Sequence, residues 1–111
     1  MNDLVYVVRY IGVDVPQDDI NAMKSYLDNS ELVFQKDVTL IGDMTDKDVN
    51  GRLLRYVLVG DTFVNLQLLE DGQGHAIDIP PNSSCVQVFK AAEESAIQSA
   101  RGIWAVPTPS P

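Results

Sequence analysis

Few residues in this chain are of types that could take part in chemistry, and those types exclude more than they permit. His75 is the sole histidine, so neither a histidine-rich metal cluster nor a serine-histidine-aspartate triad relying on a second base is available. Cys85 is the sole cysteine; it has no intramolecular disulfide partner and reads as a buried or inert thiol. Asp43, Asp46 and Asp48 alternate along a polar stretch, but the glycine and distal glutamate of an EF-hand do not follow, so a solvated acidic loop is expected. The sequence has no Walker loop, dinucleotide fingerprint or paired-cysteine motif. That removes nucleotide hydrolases, Rossmann oxidoreductases and zinc modules. Taken by themselves, Arg9 reads as a strand arginine capping a polar edge and Arg52 as a surface residue after Gly51. Asp14, before Val15-Pro16, reads as a turn-former. Trp104, just past Gly102, reads as core.

The elements that position these residues follow from periodicity. Leu4 to Ile11 is rich in β-branched and aromatic residues and stops at Gly12, which predicts a strand buried on most of its length. Asp18 or Asp19 then offers a helix N-cap, and Ile20, Met23 and Leu27 recur at helical spacing. That helix is expected to end near Asn29-Ser30. Leu32 to Gln35 and Val38 to Ile41 predict extended chain, followed by the polar loop Gly42 to Asp48. Leu53 to Val59, Gly60-Asp61 and Thr62 to Val64 predict a hairpin with a two-residue turn. Asn65 to Gly72 predicts a short helix stopped by glycine, and Ser84 to Ala100 a longer one closed by Gly102. On the longer helix Val86, Phe89, Ala92, Ala96 and Ile97 form the apolar stripe, with Lys90, Glu93, Glu94 and Gln98 toward water. The pattern is an α+β order, with consecutive strands expected to pair antiparallel as a partly closed barrel under helical caps.

The chain has 111 residues, 45% of them hydrophobic and 22% charged, with a formal net charge of -8. That is one domain's worth of chain with an ordinary globular composition. Such a surface repels a polyanion unless its few cations converge, so charge favours a protein partner over nucleic acid. Leu4 to Val8 is too short for a signal peptide or a membrane span, which excludes the membrane as a partner and leaves the compartment open. The sequence starts almost inside a strand, which points to an excised fragment. Pro107 to Pro111 is proline-rich without apolar anchors and reads as a tail or linker following a domain over 1–106.

Three stretches in order resemble staphylococcal-nuclease-like domains, also called thermonucleases. Val8 to Gln17 is similar to the family's strand arginine followed by a V-D-x-P-E corner, with glutamine in the last place. Gly51 to Val57 is similar to its G-R-x-x-x-Y-V strand and runs into Val64 to Gly72, similar to V-N-x-x-L-L-x-x-G. Phe89 through Trp104 is similar to its closing F-x-x-A-E-x-x-A helix and G-I-W turn. The resemblance implies a small five-stranded OB barrel with three helices, here an incomplete antiparallel barrel lacking an N-terminal hairpin that carries a further metal-binding aspartate. A barrel short of two strands exposes sheet edges, so a partner strand is expected, from upstream sequence or from a second copy in a homodimer.

The resemblance also assigns roles. Arg9 and Arg52 take the places of two phosphate-binding arginines, and Asp14 that of a calcium-binding carboxylate, with the Val15 carbonyl beside it. Gln17 takes the place of the glutamate that assists the attacking water. An amide can orient a water but cannot accept its proton, so general-base assistance worth about 10²–10⁴-fold is lost. Asp18 or Asp19 is a candidate stand-in. The expectation is a degenerate or truncated nuclease-like domain whose family cleaves DNA and RNA phosphodiesters with calcium, inactive as this chain. The alternative is a non-catalytic OB-type binding module.

Overall fold

The computed structural model describes residues 5–105, and the proline-rich segment expected over 107–111 lies outside them. Its central strand is β4 (Leu53–Val59), whose β-branched and aromatic residues suit a pleated, half-buried surface. β3 (Thr39–Ile41) pairs with it antiparallel, Ile41 opposite Tyr56. β5 (Thr62–Phe63) returns antiparallel across the Gly60-Asp61 turn, Leu58 opposite Phe63, as the hairpin signal predicts. Gly60 has φ 56, the left-handed backbone a tight hairpin turn needs.

β1 (Val8–Tyr10) pairs with β4 in parallel, Arg9 opposite Leu54, where antiparallel pairing was expected. The connection between them contains α1 (Asp19–Val33), which supplies the long crossover a parallel ladder requires. The strand is shorter than predicted: Val5, Tyr6 and Val7 are exposed and all three β1 residues are half-buried. β1 and β3 each pair only with β4 among the described residues, so each keeps a free edge. A second, two-stranded sheet joins β2 (Val13–Asp14) to β6 (His75–Ala76), the latter not visible in the sequence pattern.

Helix α1 starts at the N-cap Asp18, whose carboxylate accepts from the Asn21 backbone N–H. It runs through Leu32-Val33, predicted as extended, because Asn29-Ser30 lacks the glycine or proline that would stop it. Its expected apolar stripe is not buried: Ile20, Met23 and Leu27 are 72%, 57% and 55% exposed. The side that faces the body instead offers Ser25, whose Oγ donates to the Gln73 carbonyl at 2.6 Å, and Asn29, which accepts from the Tyr10 hydroxyl at 2.8 Å. α2 (Val64–Glu70) begins one residue earlier than predicted, and α3 (Val86–Gln98) is shorter at both ends. Phe89, Ala92 and Ala96 form the buried stripe of α3, whereas Ile97 is 39% exposed. Glu93 does not face water alone, since it accepts from the Ala76 N–H at 2.8 Å.

The core joins Ile11, Val13, Leu54, Tyr56, Leu69, Phe89 and Ala92. Tyr56, Phe63 and Phe89 meet edge-on with centroids 5.6 to 6.1 Å apart, the arrangement their quadrupoles favour. Asn65 is fully buried at its centre: Oδ1 accepts from the Val57 N–H, and Nδ2 donates to the Ile11 and Arg55 carbonyls. That one side chain ties the end of β1, the middle of β4 and the start of α2 together. Among the described residues the fold is α+β, with three α-helices and mixed sheets, compatible with an OB-type domain.

Candidate active site

The parallel ladder decides what comes together. Arg9 is central in β1, and Arg52 immediately precedes β4, whose Leu53 N–H donates to the Val7 carbonyl at 2.9 Å. Both arginines therefore reach the same end of the sheet, where they line one groove of about 270 Å³ with Val8, Tyr10, Val15 and Tyr26. The turn at Gly12, φ 79, sends the chain into β2 and brings Asp14 back toward β1. Its carboxylate lies 3.9 Å from Arg9 Nη2, close enough to attract but beyond hydrogen-bond reach. Arg9, Arg52, Asp14 and Val15 thus gather at one corner.

Gln17 sits beside them without facing the groove, because its Nε2 donates to the Val15 carbonyl at 3.2 Å. The amide thereby bonds to one side of the main-chain oxygen that the resemblance makes a cation ligand. Asp18 spends both carboxylate oxygens on Asn21. Hydrogen bonds from the Asn21 backbone and side chain hold its carboxyl below the usual range. Among the described residues no group of three or more His, Cys, Asp or Glu is arranged to hold a metal. Calcium takes six to eight oxygens and favours charged ones, and the described corner offers a single carboxylate, Asp14, beside the Val15 carbonyl, so these residues by themselves do not fit the ion.

The acidic loop is not merely solvated. Asp43 accepts from the Tyr56 hydroxyl at 2.7 Å, which with other bonds holds its carboxyl low. Asp46 pairs with Arg55 and Asp48 with Arg52, each at 2.6 Å. All three aspartates fasten the loop to β4 or to the residue before it. Asp48 and Arg52 lie in a turn outside any helix, so their four-residue spacing gave no sequence signal for that contact. Trp104 is half-buried rather than core, packed edge-on against the exposed His75 at 5.1 Å. Cys85 is half-buried with a free thiol.

Comparisons with known proteins place the chain as a whole in a family. The model of the staphylococcal nuclease homologue family matches residues 7–106. A thermonuclease of Staphylococcus intermedius is 31% identical over 105 residues, covering 87% of this chain. The chain belongs to the staphylococcal nuclease homologue family. It spans 62% of the length of that thermonuclease.

Proposed function

We propose that this domain retains the phosphate-recognition half of a nuclease-type site and has lost the hydrolytic half. Phosphodiester cleavage needs neutralisation of the phosphate oxygens, a polarising cation and a positioned, deprotonated water. The observation that carries the reading is the shared groove of Arg9 and Arg52 beside Asp14. Arginine forks suit phosphate oxygens bidentately. Against hydrolysis stand Gln17, which cannot take a proton, and a lone Asp14 as charged ligand for calcium. The ligand is a single-stranded DNA or RNA chain held weakly, since a net charge of -8 opposes it at long range.

The test is cleavage and binding of single-stranded DNA and RNA in calcium, with a chelator control and Arg52→Ala. The expected result is binding that Arg52→Ala weakens and that salt weakens with a shallow slope, about −0.7 per phosphate contacted, without cleavage. Calcium-dependent cleavage abolished by Arg52→Ala refutes the loss of hydrolysis; binding indifferent to Arg52→Ala refutes phosphate recognition.

A second reading, a protein-binding module, draws on the free edges of β1 and β3 and on the exposed Ile20, Met23 and Leu27 of α1. Uncovered strand edges of this kind pair or are covered. The occupant this reading commits to is a second copy of the chain. A monomeric mass by light scattering refutes it.

A further inference from the structure

Asp48 makes three hydrogen bonds around Arg52. Its Oδ1 accepts from the backbone N–H groups of Asn50 and Arg52, both at 2.9 Å, and its Oδ2 accepts from Arg52 Nε at 2.6 Å. The backbone closes the same loop, with the Asp48 N–H on the Arg52 carbonyl at 2.9 Å and the Gly51 N–H on the Asp48 carbonyl at 3.1 Å. Gly51 at φ 80 allows the chain to turn this tightly. The Asp48 side chain is 15% exposed against 41% for Arg52. Burial opposes its ionisation, but the hydrogen bonds from Arg52 and Asn50 outweigh that and hold the carboxyl below the usual range. The partner of the guanidinium is therefore an anion at neutral pH.

A guanidinium carries five donors in a planar fork. Here Nε is engaged, while Nη1 and Nη2 have no partner among the described residues. Arg52 lines the groove that Arg9 also lines. A side chain tied at Nε, on a residue whose own N–H is tied to the same carboxylate, has few orientations left. Less conformational freedom is then lost when a ligand docks.

We propose that Asp48 is a positioning residue that sets the Arg52 guanidinium so that its terminal Nη edge meets a phosphate of a single-stranded nucleic acid in the groove. The inference rests on the reading of Arg52 as a phosphate ligand given above. It contrasts with a carboxylate that competes with phosphate for the arginine, and the two differ in sign. Removing a competitor tightens binding, whereas removing a positioner weakens it.

The variant is Asp48→Asn, which keeps the Oδ1 bonds of the loop and turns an amide donor toward Nε. The probe is a fluorescein-labelled oligothymidylate, read by anisotropy near physiological salt, where the Debye length is about 8 Å and remote charges are screened. Asp46→Asn, which removes an equal charge from the same loop but pairs with Arg55, is the control. The expected result is binding about 10-fold weaker in Asp48→Asn than in Asp46→Asn, since misplacement of about 1 Å at such a site is costly. In the Arg52→Ala background Asp48→Asn adds nothing further. A slow-exchanging Arg52 Nε–H signal in the free protein disappears in Asp48→Asn while the core resonances stay in place. If Asp48→Asn loosens the loop as a whole, Asp48→Ser, whose hydroxyl still accepts from the loop N–H groups, carries the same comparison. Unchanged or tighter binding in Asp48→Asn, with Arg52→Ala still weakening it, overturns this inference alone. A wild-type chain that does not hold the oligonucleotide overturns the phosphate reading of Arg52 and this inference with it.

Discussion

Where α1 meets the end of α2, two carboxyl groups face one another, and Asp28→Asn tests what that costs. Asp28 Oδ2 is buried without a hydrogen-bond partner, while Asp71 Oδ1 accepts from Gln67 Nε2 at 2.8 Å. Two ionised carboxylates have no donor between them, so the pair is satisfied only when a proton is shared. Burial first, then the facing Asp71 carboxyl and the charge of Glu31, push Asp28 up from 3.8 to about 7. A carboxyl raised in this way stabilises the fold fully below its unfolded value and loses that contribution as pH rises through about 7. At 1.36 kcal/mol per pH unit the whole shift corresponds to about 4 kcal/mol; solvent reaches much of this half-buried group, and screening reduces that to about 1–2 kcal/mol. Asparagine resembles the protonated acid at every pH. Asp28→Asn is therefore expected to leave the melting temperature nearly unchanged at about pH 4 and to raise it at about pH 8, by roughly 4–8 °C per kcal/mol for a domain of this size. Thermal melts of both proteins across that range, followed by circular dichroism, give the comparison. A wild-type melting temperature that holds steady or rises from pH 4 to 8 relative to the variant refutes the shared proton.

Other outcomes follow from single contacts. Asn65→Ala strands the buried Val57 N–H and Ile11 carbonyl, and is expected to cost about 2–4 kcal/mol in urea unfolding; a loss under 1 kcal/mol would remove Asn65 as the clamp. Gly72 has φ 73, and a Cβ there would collide with the Arg101 carbonyl, whereas one on Gly60 meets nothing within 4 Å. Gly72→Ala is thus expected to lower the melting temperature well beyond Gly60→Ala, and equal losses would contradict the packing of that turn against Gly102. Gln17→Glu supplies a proton acceptor and frees the Val15 carbonyl from the Gln17 amide. It is nevertheless expected to leave single-stranded DNA uncleaved in calcium, because Asp14 stays the lone charged ligand at the corner; calcium-dependent cleavage appearing in Gln17→Glu would place the loss of hydrolysis at Gln17 alone.

Much of this molecule is decided by local pattern. The β4 hairpin, the short helix stopped before Gly72 and the stripe of Phe89, Ala92 and Ala96 were legible because turn residues and periodicity act over a few positions. The order of motifs around Arg9, Asp14 and Arg52 was legible as a family resemblance, which the match over residues 7–106 supports. Beyond that range, pattern misleads. Ile20, Met23 and Leu27 have the spacing of a buried stripe, yet α1 turns Ser25 inward, because what buries a helix face is the surface opposite it. Asp43, Asp46 and Asp48 look like a solvated run until Tyr56, Arg55 and Arg52 are brought beside them. Local sequence thus determined the main strand and helix segments, though not the run of α1 through Leu32-Val33 or the short β6, and which residue types are present for chemistry. Only the tertiary structure decided that β1 lies parallel on β4, which puts two distant arginines in one groove, and that Gln17 is turned onto the Val15 carbonyl. Those relations are set by pairing between segments far apart in the chain, and no local periodicity records them.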